Sequence, residues 1–325
     1  MHRLAIASDA QVRTLSGQTH VLWGGGLDPD AYLDLWIELC RTDWVRDHAT
    51  YYVLDDGDGN VLSSLKLYRP RLCWDGHESR IAALAGIFTP ASLRRRGYAR
   101  ELIERVLEVA AEDGASLALL FSDIGTRYYR TLGFQELGAD EHWMRISGAT
   151  AGIPSSIELR SLTPAAVDDV VDAHRAYTEG RRFSIVRDKD HWDFILNRAQ
   201  GFFRRLTGNR SRQRLEVAVR DGRFVGYLFS IEGAGEWNLR EVGAAGGSIE
   251  WMAEIVRAGL GAAASRGARR CYGWIQPELA AALKDLPLRT ETRRRMVPML
   301  RTLGAGDDRQ VPGLPDSYIA FQDQF

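Results

Sequence analysis

Cysteine, an excess of charge of either sign and long apolar runs are all scarce in this sequence, and each shortage closes off a class of function. Three cysteines occur, Cys40, Cys73 and Cys271, far apart and without a C-x-x-C pair. That pattern indicates neither a zinc site nor a disulfide framework, and no metal is expected. The formal net charge is only −1, so no global basic field recruits nucleic acid or an anionic membrane, and neither is expected as a partner. No apolar run approaches the roughly 20 residues that a membrane helix needs. The opening MHRLAIASDAQVRTL carries charges inside its apolar stretch and lacks a secretory h-region. A reducing, cytoplasmic setting is the expectation.

What is present is the composition of a soluble globular protein, 45% hydrophobic and 26% charged, over 325 residues that suit two domains of ordinary size. SGATAGIPSS, Ser147 to Ser156, is small, polar and bears glycine and proline, which marks an exposed connection. It divides the chain into units 1–148 and 156–325. In the first, DPDAYLDLWIELC predicts a helix capped by Asp28 with Pro29 at its first position. TYYVLDD and NVLSSLKLY flank Gly57-Asp58-Gly59 as a hairpin, and SRIAALAGIFT reads as a further strand. RGYARELIERVLEVAAEDG is an amphipathic helix stopped by Gly114, and ASLALLFSD is the near-continuous apolar run of a strand covered on both faces. TRYYRTLGF gives a short helix, and HWMRIS a last strand of this unit.

The second unit repeats that order. LEVAVRDGRFVGYLFSIEG is a hairpin with Asp221-Gly222 at its turn, NLREVGA a strand, SIEWMAEIVRAGLGAAASRG a helix closed by Gly267, and ARRCYGWI a strand. The fold class is therefore α+β, with mixed sheets in two related domains.

Between the strand ending in GIFTP and the helix beginning GYA stand three consecutive arginines. The first N–H groups of a helix lack internal partners and carry partial positive charge, so a pyrophosphate set there gathers several backbone donors. Gly97 removes a Cβ from the anion's path, Ala99 keeps the first turn narrow, and Arg94, Arg95 and Arg96 add charge, one or two of them facing solvent. The competing reading is a basic surface turn.

This arrangement resembles the GNAT family of acyl-CoA-dependent N-acetyltransferases, in which a Q/R-x-x-G-x-G/A loop holds the CoA pyrophosphate and a Y-x-x-x-G-F motif follows on the next helix. The matching residues are Arg94 to Ala99 and Tyr129 to Phe134, within a resemblance covering about residues 45 to 146. GIFTPASLRRRGYA with LLFSDIGTRYYRTLGF is also similar to the fungal lysine N-acetyltransferases and their bacterial relatives. Those proteins too carry a second GNAT-like half. The tandem plan is similar to the aminoglycoside-modifying Eis acetyltransferases as well, although this chain is shorter and its loop has one more residue between Pro90 and the first arginine. In the second half the corresponding EVGAAGGSIEWM has no arginine or lysine, so that domain reads as a degenerate GNAT-like unit.

The resemblance implies acetyl-CoA as cosubstrate and a small-molecule primary amine as acceptor, with direct transfer in a ternary complex. It assigns Ile87, Phe88 and Thr89 to main-chain contacts with the pantetheine arm, Arg94 to Ala99, including Tyr98, to the pyrophosphate, and Tyr129 to the proton donor for the departing thiolate. Asp123 is either the base or a cap for the helix containing Tyr128, a residue read as structural. His77 and Glu78 are weaker candidates, and the C-terminal carboxylate of Phe325 is a further one by likeness to the Eis enzymes. Trp23, Trp36 and Trp44 are candidates for an acceptor wall, with Asp28, Asp30 or Asp34 drawing a cationic amine such as lysine. An acyl-CoA-binding sensor without catalysis is the alternative.

Overall fold

The computed structural model describes residues 2–147, 155–206, 211–303, 317–318 and 323. The first unit runs β1 (Arg3–Ile6), α1 (Asp9–Trp23), α2 (Pro29–Leu39), α3 (Asp43–His48), β2 (Ala49–Asp55), β3 (Val61–Tyr68), β4 (Arg71–Trp74), β5 (His77–Phe88), α4 (Tyr98–Glu112), β6 (Leu117–Ser122), α5 (Arg127–Arg130), β7 (Gln135–Glu136) and β8 (Asp140–Arg145). The second runs β9 (Glu158–Ser161), α6 (Val167–Thr178), β10 (Phe183–Val186), α7 (Lys189–Arg205), β11 (Arg212–Arg220), β12 (Arg223–Gly233), β13 (Glu236–Ala244), α8 (Ile249–Ser265), β14 (Arg270–Gly273), α9 (Pro277–Ala282), β15 (Arg289–Thr292), β16 (Val297–Thr302) and β17 (Ser317–Tyr318).

Local chemistry accounts for the elements around the site. Asp28 accepts the Ala31 N–H at 2.9 Å and starts α2 as its sequence predicts. Helix α4 buries Leu102, Ile103, Val106, Leu107 and Ala110 on one face and ends before Gly114, whose φ of +86° suits only glycine well. Strand β6 buries five of its six residues, as expected of a strand packed on both faces. Helices α1, α3, α7 and α9 escape the sequence reading; α1, opened by a Ser8–Gln11 capping box, has a mixed face with little apolar periodicity. HVLW is therefore the end of a helix, and α2 is the second.

Two sheets carry the fold. The first has the order β1-β2-β3-β5-β6-β16-β7, antiparallel throughout except for β5 beside β6. The second has the order β9-β11-β12-β13-β14-β8-β15, with only β13 and β14 parallel. Position by position the two are equivalent, and in each a helix (α4 or α8) bridges the parallel pair. The sequence boundary does not separate them. Strand β8, expected to finish the first sheet, pairs with β14 in the second, while β16 comes back from the far end of the chain to cover β6. Each strand follows directly on its own half's edge strand (β7 or β15) and crosses over. Sequence pattern does not report the exchange, because neither short strand, DEHWMR in β8 or VPMLRT in β16, names the sheet it joins.

A branch of the first sheet, β4-β10-β17, draws the second half further in. One core cluster joins Trp44, Tyr68 and Ala83 of the first half to Trp192, Phe194, Tyr227 and Phe229 of the second. Trp44 stacks on His191 and Phe194 with ring centroids 4.2 and 4.7 Å apart. Beneath this cluster lies a fully buried ion group. Arg187, at the end of β10, donates to Glu241 on β13 and to Asp323, each at 2.8 Å, and Tyr227 donates to Glu241 at 2.7 Å. The two carboxylates hold the Arg187 guanidinium well above its ordinary pKa against the opposing effect of burial.

Candidate active site

Strand β5 is interrupted where the sequence reads AGIF. Its register against β3 passes from Lys66↔Ala85 to Ser64↔Phe88, leaving Gly86 and Ile87 opposite a single residue. This is a β-bulge, and Gly86 takes φ +56° to make it. On its other side β5 pairs with β6 only from Ile81↔Leu117 to Leu84↔Leu120. Beyond Leu84 the parallel strands separate, so the bulge opens into the gap between them. A cavity of about 1270 Å³ fills that gap and extends between α2, α7 and the second sheet.

The loop after β5 lines the same cavity. Ser63 Oγ donates to the Phe88 carbonyl at 2.9 Å and lies 3.0 Å from Thr89 Oγ1, while Arg94 Nε donates to the Thr89 carbonyl at 3.1 Å. Arg94 thus braces its own loop. Arg95 has φ +64°, a left-handed backbone that is uncommon for arginine, and it lines the cavity, whereas Arg96 is exposed and outside it. Gly97 is the N-cap of α4 with φ +89°, no side chain caps the helix, and Glu101 N–H to the Gly97 carbonyl closes its first turn. A Cβ on Gly97 would meet nothing within 4 Å. Glycine is required here by its dihedral, and the space in front of the helix is open. Tyr98 and Ala99 line the cavity beside it.

The corresponding turn of the second half is closed. Ser248 caps α8 by accepting from Trp251 N–H, Glu250 adds a negative charge to the first turn, and a Cβ on Gly247 would stand 2.7 Å from the Ala176 carbonyl of α6. The same topological position is open in one sheet and filled by protein in the other.

Tyr129 lies on α5 at the cavity wall, 8% exposed. Burial first, then Tyr128 and Asp123, pushes its phenol up to about 12, so it stays protonated. Tyr128, read from the sequence as structural, also lines the cavity and meets Tyr129 edge-on at 5.1 Å. Asp123 is not a helix cap: Thr126 holds that position in α5 without a side-chain bond, and Asp123 stands exposed at the splayed end of β6, lining the cavity.

Other candidates lie elsewhere. His77 and Glu78 begin β5 away from the cavity, with Glu78 paired to Arg71 at 3.0 Å. Trp23 and Trp36 line the cavity, but Trp44 is core. Asp28 is engaged as a cap, and neither it nor Asp30 or Asp34 reaches the lining. Phe325 lies outside the described residues. Among the described residues, no cluster of metal-binding side chains occurs and no helix is long and apolar enough to cross a membrane.

Three lining residues escape sequence reasoning: Lys66, Arg198 and Arg240. Lys66 Nζ sits 3.4 Å from the centroid of Trp36 and 5.4 Å from that of Tyr51. Burial lowers its pKa to about 8. A lone lysine between Leu65 and Leu67 in a buried strand was its only local signal. Arg198 and Arg240 come from α7 and β13, and burial lowers each to about 10. No local pattern joins them to the loop.

Residues 40–137 match the model of the acetyltransferase (GNAT) domain family. Similar solved structures span nearly the whole chain. A GCN5-related N-acetyltransferase from Kribbella flavida is 18% identical, with 93% of this chain and 72% of that one covered at a TM-score of 0.64. One from Anabaena variabilis is 15% identical, with 94% and 73% covered at 0.69. A tandem GNAT protein from the clavulanic acid biosynthesis pathway is 13% identical, with 94% and 100% covered at 0.53. The fold is that of a tandem GNAT protein. No curated protein sequence matches the chain. In GNAT terms, the first sheet holds the splayed parallel pair and an open helix start, and the second repeats the plan with the helix start closed.

Proposed function

We propose that this protein is an acetyl-CoA-dependent N-acetyltransferase that acylates a primary amine in a ternary complex, using its first sheet. One observation carries the reading: the bulge at Gly86–Ile87, the gap between β5 and β6 and the uncapped start of α4 all border one cavity. A thioester lying in the gap meets backbone groups freed by the bulge, and a pyrophosphate meets unpaired amides at the helix start. Arg95 adds charge there, and Arg94 stiffens the loop that presents those amides. The closed helix start in the second sheet supports its reading as a degenerate unit (residues 156–325) that walls the acceptor site.

In this reading the amine attacks the thioester carbonyl, whose oxygen gathers negative charge beside the bulge amides. The sulfur then leaves as a thiolate facing Tyr129. Full proton transfer from a phenol near 12 to a thiolate with conjugate acid near 8.5 runs uphill by about 5 kcal/mol. Tyr129 therefore acts as a hydrogen-bond donor that stabilises the leaving sulfur, and solvent completes the protonation. Asp123, the acid at the mouth of the gap, is positioned to take the proton of the attacking amine through water.

Calorimetry with acetyl-CoA, followed by thiol release with a panel of amines, tests the proposal. Binding with turnover supports it. Binding without turnover on any amine turns the reading to a sensor, and absence of binding ends both.

A further inference from the structure

Among the residues lining the cavity, cations outnumber acids. Beyond Arg94, Arg95 and Arg100 at the cofactor end, the lining carries Lys66, Arg198, Arg240 and, at the rim, Arg295, against a single acid, Asp123. The aspartates that would draw a cationic acceptor lie outside it. Around the cations the wall is aromatic and apolar, with Trp23, Trp36, Phe194 and Phe202.

Lys66 is the key member of this group. It stands beside the bulge, its stem 4.0 Å from where a Cβ on Gly86 would be. Its ammonium rests on Trp36, and among the described residues no carboxylate pairs with it. A half-buried cation held over a ring with no carboxylate beside it is incompletely compensated. Arg198 lies over Phe194 at 5.2 Å, with Tyr68 and Asp323 among the groups that favour its charge, and Arg240 has Tyr272 among its own. None of those groups belongs to Lys66. An anion entering the cavity would restore the missing charge.

We infer that the acceptor is a primary amine that also bears an anionic group, a carboxylate or a phosphate, on an apolar or aromatic body, and that Lys66 holds that group on a wall to which Arg198 and Arg240 add positive charge. This rests on the transferase reading for the word acceptor, though not for the anion site itself. The anion then lies toward Lys66 and Trp36, and the amine toward Asp123. A cationic amine without an anion would meet four positive side chains.

Two measurements on the full chain separate the inference from the reading beneath it. The first is equilibrium binding followed by tryptophan fluorescence, using 3-phenylpropionate, its neutral amide, phenethylamine and inorganic phosphate. The carboxylate or phosphate should bind at least about tenfold more tightly than the amide, and Lys66→Gln should erase the difference. Equal binding, tighter binding of phenethylamine, or a difference that survives Lys66→Gln overturns the inference, whatever becomes of catalysis. The second compares kcat/KM for phenylalanine against phenethylamine and for glucosamine 6-phosphate against glucosamine. The anionic member of at least one pair should be preferred, chiefly through KM, and Lys66→Gln should level that pair. Equal loss of kcat for both members, with the ratio kept, would make Lys66 a base and would also overturn the inference. If acetyl-CoA fails to bind while the carboxylate binds through Lys66, the transferase reading falls and the anion site stands.

Discussion

Helix α4 offers a matched experiment, because glycines stand at both of its ends with nearly the same backbone. Gly97 has φ +89° and Gly114 φ +86°, and a Cβ at either would meet nothing within 4 Å. Alanine at either position therefore introduces the same strain, about 1–2 kcal/mol for a non-glycine residue in the left-handed region. In a chain of this size each substitution should lower Tm by a few degrees, about 2–4 °C per kcal/mol. Only Gly97 faces the proposed pyrophosphate. A charge-assisted bond from a backbone amide contributes about 1.5–3 kcal/mol, so displacing the anion from two amides costs about 3–6 kcal/mol of binding. Gly97→Val should weaken acetyl-CoA at least about a hundredfold by calorimetry. Gly114→Ala should leave the affinity unchanged, and scanning calorimetry checks that the stability losses of Gly97→Ala and Gly114→Ala agree. Gly97→Val binding within threefold of the parent, or equal losses of affinity at both ends, would refute the phosphate cradle.

Other consequences follow from named groups. Tyr129→Phe should lower kcat by about a hundredfold, the scale of one lost transition-state donor, and the parent should show no kinetic break from this phenol below about pH 10. Lys66, lowered to about 8 from 10.5, binds fewer protons folded than unfolded between those values, so stability rises with pH across that window. Below pH 8 the full penalty of about 3 kcal/mol applies, and Lys66→Met should raise the unfolding free energy from urea titration at pH 7 by that amount less its ring contact, with the gain gone above about pH 10.5. Removing Arg187 strands Glu241 and Asp323 without a cation; Arg187→Met should destabilise by about 3–5 kcal/mol in denaturant, and Arg187→Met/Glu241→Leu should recover part of it.

What the sequence made legible was local. The RRRGYA junction, the apolar run of β6 and the glycine-stopped α4 each announce themselves through residues adjacent along the chain, and the repeat of hairpin, strand, helix and strand disclosed the tandem plan. The proposed cofactor end is built from those adjacent residues, so the sequence could suggest it. The proposed acceptor end is not. It gathers Lys66 from β3, Arg198 from α7 and Arg240 from β13, and only the packing of one sheet against the other brings them to one wall. The same holds for Asp123, whose residue type suits a cap equally well, and for the crossing of β8 and β16.

That crossing sets a timetable for biosynthesis. The edge of β6 is complete once Ser122 has been made, yet the strand that covers it ends at Thr302, so at about 5–20 residues per second the ribosome leaves that edge bare for about 10–35 s. Stalled nascent chains should therefore acquire coenzyme retention only when the arrest point lies far enough past Thr302 for β16 to clear the exit tunnel. The half proposed to face the coenzyme, although first out, should be among the last to become competent.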